Sequence, residues 1–434
     1  MKMKFRQRQN RSSNDRWLLF FWIANLLLWI VFFTIVCAKD EGDYEIHNNI
    51  AILMINGEYR SFYPGYNLLV GGLWKLSGLP MAIAAGIVLG AAQTITIGFT
   101  RKLLELLLPR DLMEQRPLGT ALLALAVCTM IPVFFGGMSP GYSCSNSYTS
   151  PSQIVNKPFI VATIYYWYLC EKEGEDRKSL RVNQVKRTVA LILSCFTKPV
   201  FAMAFVVAAG IYYLLKAISE VVRANKSYDR KSSARKALIW WLRCFWDGVW
   251  PEFVTGLFLL VQYAYGVYLQ DEMTLQYDSI AIKFGWMHTW DQMVDNVWLS
   301  LLLAYLFPLS YLCLRPGRVK AFVLGKTKEK NLFWKMSLIY GVVSFFMMSC
   351  LYQEGSGEAG ANFRNAWIYT FTFVHTASVC GLARDLRESK DWKKPANLIP
   401  LLALLLQIGF GVVLLAYKLY FYLVFKTRLI WIVK

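Results

Sequence analysis

From Trp17 almost to Lys434 the chain returns repeatedly to apolar runs long enough to cross a hydrocarbon core of about 30 Å. No water reaches the backbone there, so each run must satisfy its own peptide groups, and continuous runs of this kind do so as helices. Hydrophobic residues make up 56% of the 434 positions, and no polar stretch is long enough to fold as a separate soluble domain. The expected fold is all-α, a single polytopic transmembrane domain over residues 1–434. The first run, RWLLFFWIANLLLWIVFFTIVCA, is longer than a signal-peptide core and has no A-x-A cleavage site, so it is expected to stay as a helix.

A net charge of +19 does not point to nucleic acid, because the basic residues fall in short loops between apolar runs, the pattern left by cytoplasmic retention of Lys and Arg. Clusters at 1–16, 101–116, 172–187, 216–243, 315–330 and 384–394 hold most of the 47 Lys and Arg residues. Placing all six on the cytoplasmic side leaves one crossing between the first helix and residue 101. The uncharged run 81–100 fits it; residues 66–78 contain Lys75, lie between Pro64-Gly65 and Pro80, and are expected to lie at the outer interface. The run 188–216 sits between two inside clusters and must cross twice. Its Lys198-Pro199 pair supplies the break, since Pro removes a backbone donor and biases the preceding residue away from helix. Two short helices are predicted to meet there, with Lys198 at an outward-facing cavity. Further spans are expected near 118–137, 157–170, 250–269, 297–314, 333–351, 366–383 and 397–417, making about 11 transmembrane helices with the N-terminus cytoplasmic. The nine cysteines lie mostly within apolar runs without CxxC spacing, so neither a disulfide framework nor a metal site is indicated.

This topology puts an external loop at 38–80 that opens with DEGDYEIH, residues 40–47. A carboxylate at the end of a span is ordinarily a solvated group, and an acidic outer loop is also what the charge bias leaves behind. The segment that follows raises the stakes. Ile46, Ile50, Leu53 and Met54 are spaced for one apolar helical face, predicting a surface helix over 44–55 ended by Asn56-Gly57, with a second after Tyr63-Pro64. Two such juxtamembrane helices would hang Asp40, Glu41 and Asp43 over the bilayer, where lipid-borne and aqueous substrates meet.

The order acidic cluster, Tyr and His, apolar helix, Gly turn, Tyr-Pro and apolar helix resembles the first external loop of the GT-C superfamily of integral-membrane glycosyltransferases. The FTKP break at 196–199 is similar to a Lys-Pro segment in bacterial members that build cell-surface polysaccharide. The pattern covers about the first 200 residues. The outer loop SPGYSCSNSYTSPSQIVNKPF lacks the Trp and His of the related segment, and EGSGEAGANFRNAW carries Arg364 after Asn362-Phe363 where relatives often have Arg before them. The resemblance implies an inverting transferase of the inner (cytoplasmic) membrane. It would move a sugar from a polyprenyl-phosphate carrier to a cell-surface glycan or lipid-linked acceptor on the extracytoplasmic side. Asp40, Glu41 and Asp43 fall at the matching catalytic place.

Such a transfer needs a carboxylate to take the acceptor proton and a fixed cation at a low-dielectric boundary to stabilise the departing phosphate. Lys198 fits the second role, with Lys157 and Arg364 as helpers and Asn362 beside them. His47 lies one helical turn from Asp43, so the two can pair, although an ordinary surface contact is the commoner fate of such a histidine. His288, among the aromatics of KFGWMHTWDQM, is a candidate for the acceptor side, while His375 lies inside a span. None has zinc-ligand spacing, a donor with one phosphate does not demand a divalent ion, and the Gly-rich pieces lack the Gly-Lys-Ser/Thr ending of a nucleotide loop, so no cofactor is expected. Two rivals stand beside this reading. A lipid-linked polysaccharide polymerase would carry a large Arg-bearing loop in the later half, and a flippase or transporter would show internal repeats or mid-membrane charges, for which Lys198 is the candidate.

Overall fold

The computed structural model describes residues 2–39, 43–109, 117–134, 144, 146, 150–172, 177–227, 233–268, 282–293, 295–323, 332–353 and 361–425. Helices α1 (Lys2–Lys39), α2 (Asp43–Ile55), α3 (Gly65–Ser77) and α4 (Met81–Leu107) open the chain. They are followed by α5 (Pro117–Thr129), α6 (Pro151–Lys172), α7 (Arg177–Thr197), α8 (Val200–Ser227) and α9 (Ser233–Tyr268). The second half holds β1 (Ile282–Phe284), α10 (His288–Met293), α11 (Val297–Ala304), α12 (Leu306–Cys313) and α13 (Pro316–Val323). It ends with α14 (Leu332–Cys350), β2 (Leu351–Gln353), α15 (Arg364–Ser389) and α16 (Pro395–Val424). Among the described residues, five helical segments are long and apolar enough to cross a membrane: Asp15–Lys39, Met81–Leu107, Val200–Ser219, Leu332–Cys350 and Pro395–Val424. Among the described residues the architecture is all-α, apart from one antiparallel pairing of β1 with β2.

Small residues let the first two long helices approach closely. A Cβ placed on Gly86 would come within 2.0 Å of Thr34 Oγ1, and one on Gly90 within 2.7 Å of Ile30 N, so α4 offers α1 a GxxxG face. Asn25 sits in the same seam, donating to Thr94 Oγ1 and accepting from Trp29 Nε1.

Contacts between distant segments define two ends of the bundle. At one end Arg384 donates to Leu107 O, and Asp385 receives Arg315 at 2.6 Å while Asn397 takes the same guanidinium at 2.7 Å. Three of the basic clusters therefore meet there. The other end gathers the α2–α3 loop, the α7–α8 junction and the start of α15.

Several predicted boundaries are corrected. The helices on either side of Lys198 are not short: α7 has 21 residues and α8 has 28, because both continue into the flanking basic clusters. Likewise α9 begins at Ser233, well before residue 250. Instead of running to residue 137, α5 stops at Thr129, where Asn146 Nδ2 donates to Val127 O and Met130 O and closes the helix end. The run 297–314 is two helices with a break at Tyr305. Helices α2 and α3 form at the predicted places, and the turn after α2 is made by Gly57 at φ +80° with Glu58 N donating to Leu53 O. Within the protein α2 packs through Tyr44, Asn48, Ile50 and Ala51, and Ile46 of the predicted apolar face is 47% exposed.

Candidate functional site

The site is built around a break that proline dictates. Pro199 has no N–H, so the carbonyl four residues earlier, Cys195 O, loses its helical donor. Gln262, from the last two turns of α9, donates its Nε2 to that carbonyl at 2.9 Å and to Phe62 O at 2.6 Å. From α6, Asn156 Nδ2 donates to Lys198 O at 3.1 Å and its Oδ1 accepts from Thr197 Oγ1 at 2.8 Å. The start of α3 closes on the same point, since a Cβ on Gly65 would lie 2.9 Å from Phe196 O. Three separate elements thus hold residues 195–199 in one shape, satisfying groups that an unbraced break would leave bare in an apolar setting.

Lys198, only 9% exposed, lines a cavity of about 350 Å³ together with Tyr63, Met203, Val207, Leu260, Ile282, Asn362 and Phe363. The walls are hydrocarbon and aromatic, with one ammonium group and one side-chain amide from the predicted set among them. A second cavity of about 460 Å³ lies alongside and shares Phe62 and Gln262 with the first; Arg60, Ser61 and Tyr59 belong to it. An apolar hollow lined, among the described residues, by the one ammonium group of Lys198 suits an amphiphile with an anionic head.

Of the acidic cluster, Asp40 and Glu41 lie outside the described residues, in the short link between Lys39 of α1 and Asp43 of α2. Asp43 opens α2 with its side chain 45% exposed, and its Oδ1 lies 3.8 Å from His47 Nε2. The His47 ring meets the edge of Tyr66 at 5.7 Å, and the buried Tyr66 hydroxyl donates to Asn48 Oδ1 at 2.7 Å. Burial, and then the neighbouring Cys37 and Asp43, push the Tyr66 hydroxyl well above the usual phenol range, so it remains a donor. Asp43 and His47 do not line either cavity. Their connection to the Lys198 break runs through two adjacent residues, Tyr66 on the His47 side and Gly65 on the Phe196 side.

Lys157 does not join Lys198. It is buried on another side of α6 from Asn156, with its Nζ donating to Asn146 Oδ1 at 3.4 Å in a small pocket bounded by Thr96, Thr100 and Tyr369. The neighbouring positions 156 and 157 diverge because a helix turns about 100° per residue. Arg364 is the first residue of α15, directly after the cavity residue Phe363, and is half-buried. His288 opens α10 with its ring on Tyr352 at 4.2 Å. Pairing of Ile282 with Gln353 and of Phe284 with Leu351 joins β1 to β2 and carries Ile282 to the cavity. His375 is a core residue, hydrogen-bonded to Phe371 O and Gln407 Oε1.

Elsewhere along α7 and α9 a charged pair that the sequence reading did not foresee is fully buried. Arg187 and Glu252, 0% and 1% exposed, form an ion pair at 3.0 Å, and the guanidinium also donates to Tyr213 OH and Gly248 O. Gln262 and Asn156 were missed as well. A signal for Gln262 was available: it interrupts GLFLLVQYAYG, and an amide in such a run needs a partner.

The chain matches no family model, and no curated protein sequence matches it.

Proposed function

We propose that the chain is a membrane glycosyltransferase of GT-C type that uses a polyprenyl-phosphate-linked sugar and transfers it on the extracytoplasmic face of the inner membrane, with about eleven crossings and a cytoplasmic N-terminus. The observation that carries this reading is the meeting of Lys198 and Asn362, 164 positions apart in sequence, in one apolar cavity beside the α2–α3 platform. The isoprenoid would lie along Met203, Val207 and Leu260, with its phosphate toward Lys198.

In the reaction an acceptor hydroxyl oxygen attacks the anomeric carbon in line. The bond from that carbon to the phosphate oxygen breaks, its electron pair leaves on polyprenyl phosphate, and the hydroxyl proton passes to Asp40 or Asp43. Lys198 offsets the charge that gathers on the phosphate, an effect that a low-dielectric wall strengthens. Product formation from a short-chain polyprenyl-phosphate sugar in vesicles tests the assignment. Asp40→Asn or Asp43→Asn is expected to abolish product at unchanged protein level; full activity in both single variants and in the double variant removes the carboxylates from the chemistry.

One observation favours a second reading. The buried Arg187–Glu252 pair is the kind of charge that a flippase for the same glycolipids would carry. Movement of a labelled lipid-linked glycan across vesicles, without sugar transfer, would select that function.

A further inference from the structure

We infer that the cavity beside Arg60 binds a second phosphate-headed lipid, so that the acceptor, like the donor, is held by an apolar tail; the inference rests on the glycosyltransferase reading. One wall of this hollow is apolar, built from Met54, Leu68, Phe196, Phe258 and Val261, and suits an extended hydrocarbon chain, while Tyr59, Arg60, Ser61, Gln262 and Tyr265 supply polar groups for a head. Arg60 is the guanidinium of this lining, and guanidinium matches phosphate bidentately.

The partition between the two hollows is itself polar. Gln262 is more than nine-tenths buried and lines both cavities. Both of its amide hydrogens are committed, to Phe62 O and to Cys195 O. That fixes the orientation of the carboxamide, and its Oε1 is a buried acceptor with no hydrogen-bond partner among the described residues. Two amphiphiles lying side by side, one headed by Arg60 and one by Lys198, would bring their heads to either side of this residue. Donor and acceptor then approach within the membrane surface, and the acceptor is selected by its lipid as well as by its sugar.

The test uses the full-length chain in detergent with a photoreactive isoprenyl phosphate, and with the corresponding alcohol as control. Labelled peptides are mapped for wild type, Arg60→Ala, Arg60→Lys and Lys198→Ala. The expected result is phosphate-dependent labelling of both hollows, on residues 54–68 for one and 203–207 for the other. Arg60→Ala should lower the first several-fold and spare the second, Arg60→Lys should restore it only in part because an ammonium keeps the charge but not the bidentate fork, and Lys198→Ala should do the reverse. Labelling near Lys198 alone overturns the inference and leaves the donor site standing. Labelling near Arg60 alone, or nowhere, removes the donor site and the two-lipid arrangement together. Equal labelling by the alcohol, or full competition by millimolar inorganic phosphate, overturns the lipid-phosphate assignment.

Discussion

Gln262 supplies the hydrogen bond that Pro199 withholds: its Nε2 donates at 2.9 Å to Cys195 O, the carbonyl four residues before the proline. The same device occurs a second time. Pro308 leaves Ala304 O without its helical donor, and Gln407 Nε2, from α16, donates to that carbonyl at 2.9 Å. In each case an amide buried in an apolar run is matched to a proline in another helix, so each break is fixed by a side chain more than sixty positions away. The Lys198 break is therefore a built feature of the bundle.

Replacing Gln262 by Leu should expose this pairing. Cys195 O and Phe62 O would both lose a buried donor, at a cost of about 1–3 kcal/mol each when nothing replaces it. Pro199→Ala restores an N–H for Cys195 O, so the double variant should be less destabilised than the sum of the singles. Unfolding of the detergent-solubilised chain in a double-mutant cycle measures the coupling; strict additivity would mean that proline and glutamine are unrelated.

The Arg187–Glu252 pair gives a sharper contrast. Glu252→Met leaves the guanidinium without its carboxylate and Arg187→Met leaves the reverse; either single change should cost about 3–5 kcal/mol. The double Met variant should recover most of that loss, because a buried pair is replaced by packing of similar volume. Thermal midpoints of the three variants decide it. A double variant as unstable as the worse single would show that the other contacts of Arg187, to Tyr213 OH and Gly248 O, dominate.

Close approach of α1 and α4 predicts an asymmetric response among glycines of one helix. Gly86→Val and Gly90→Val must push Thr34 and Ile30 away and should destabilise by about 1–3 kcal/mol or more. Gly98, where a Cβ would meet only Trp22 at 4.0 Å, should tolerate alanine with little change. Equal stability of Gly90→Val and wild type would contradict the seam.

Much of this arrangement was legible in the chain, and the reasons for the rest are physical. The Lys198-Pro199 break is written in two adjacent residues, because the missing N–H of proline is a local fact. Likewise Asn56-Gly57 announces the end of α2, since Gly57 takes the left-handed conformation that glycine allows. What braces the break is not local: Asn156 and Gln262 lie 42 and 67 positions from the backbone they serve. Arg187 reads as one more member of a basic cluster until Glu252 is placed beside it. Apolar spacing located α2, but its protein-packed side, Tyr44, Asn48, Ile50 and Ala51, includes residues with polar atoms to satisfy that a count of apolar positions passes over. Lys157 was grouped with Lys198 through their shared positive charge, and the turn of α6 separates them.

The most direct measurement is the affinity of the full-length chain for a polyprenyl-phosphate sugar, compared between Lys198→Ala and Lys157→Ala. Loss of a charge-assisted contact to the phosphate should weaken donor binding on the order of tenfold in Lys198→Ala, while Lys157→Ala leaves it unchanged because its ammonium faces Asn146 in a different pocket. Unaltered donor binding in Lys198→Ala, or an equal loss in both variants, would contradict a donor site at the Pro199 break.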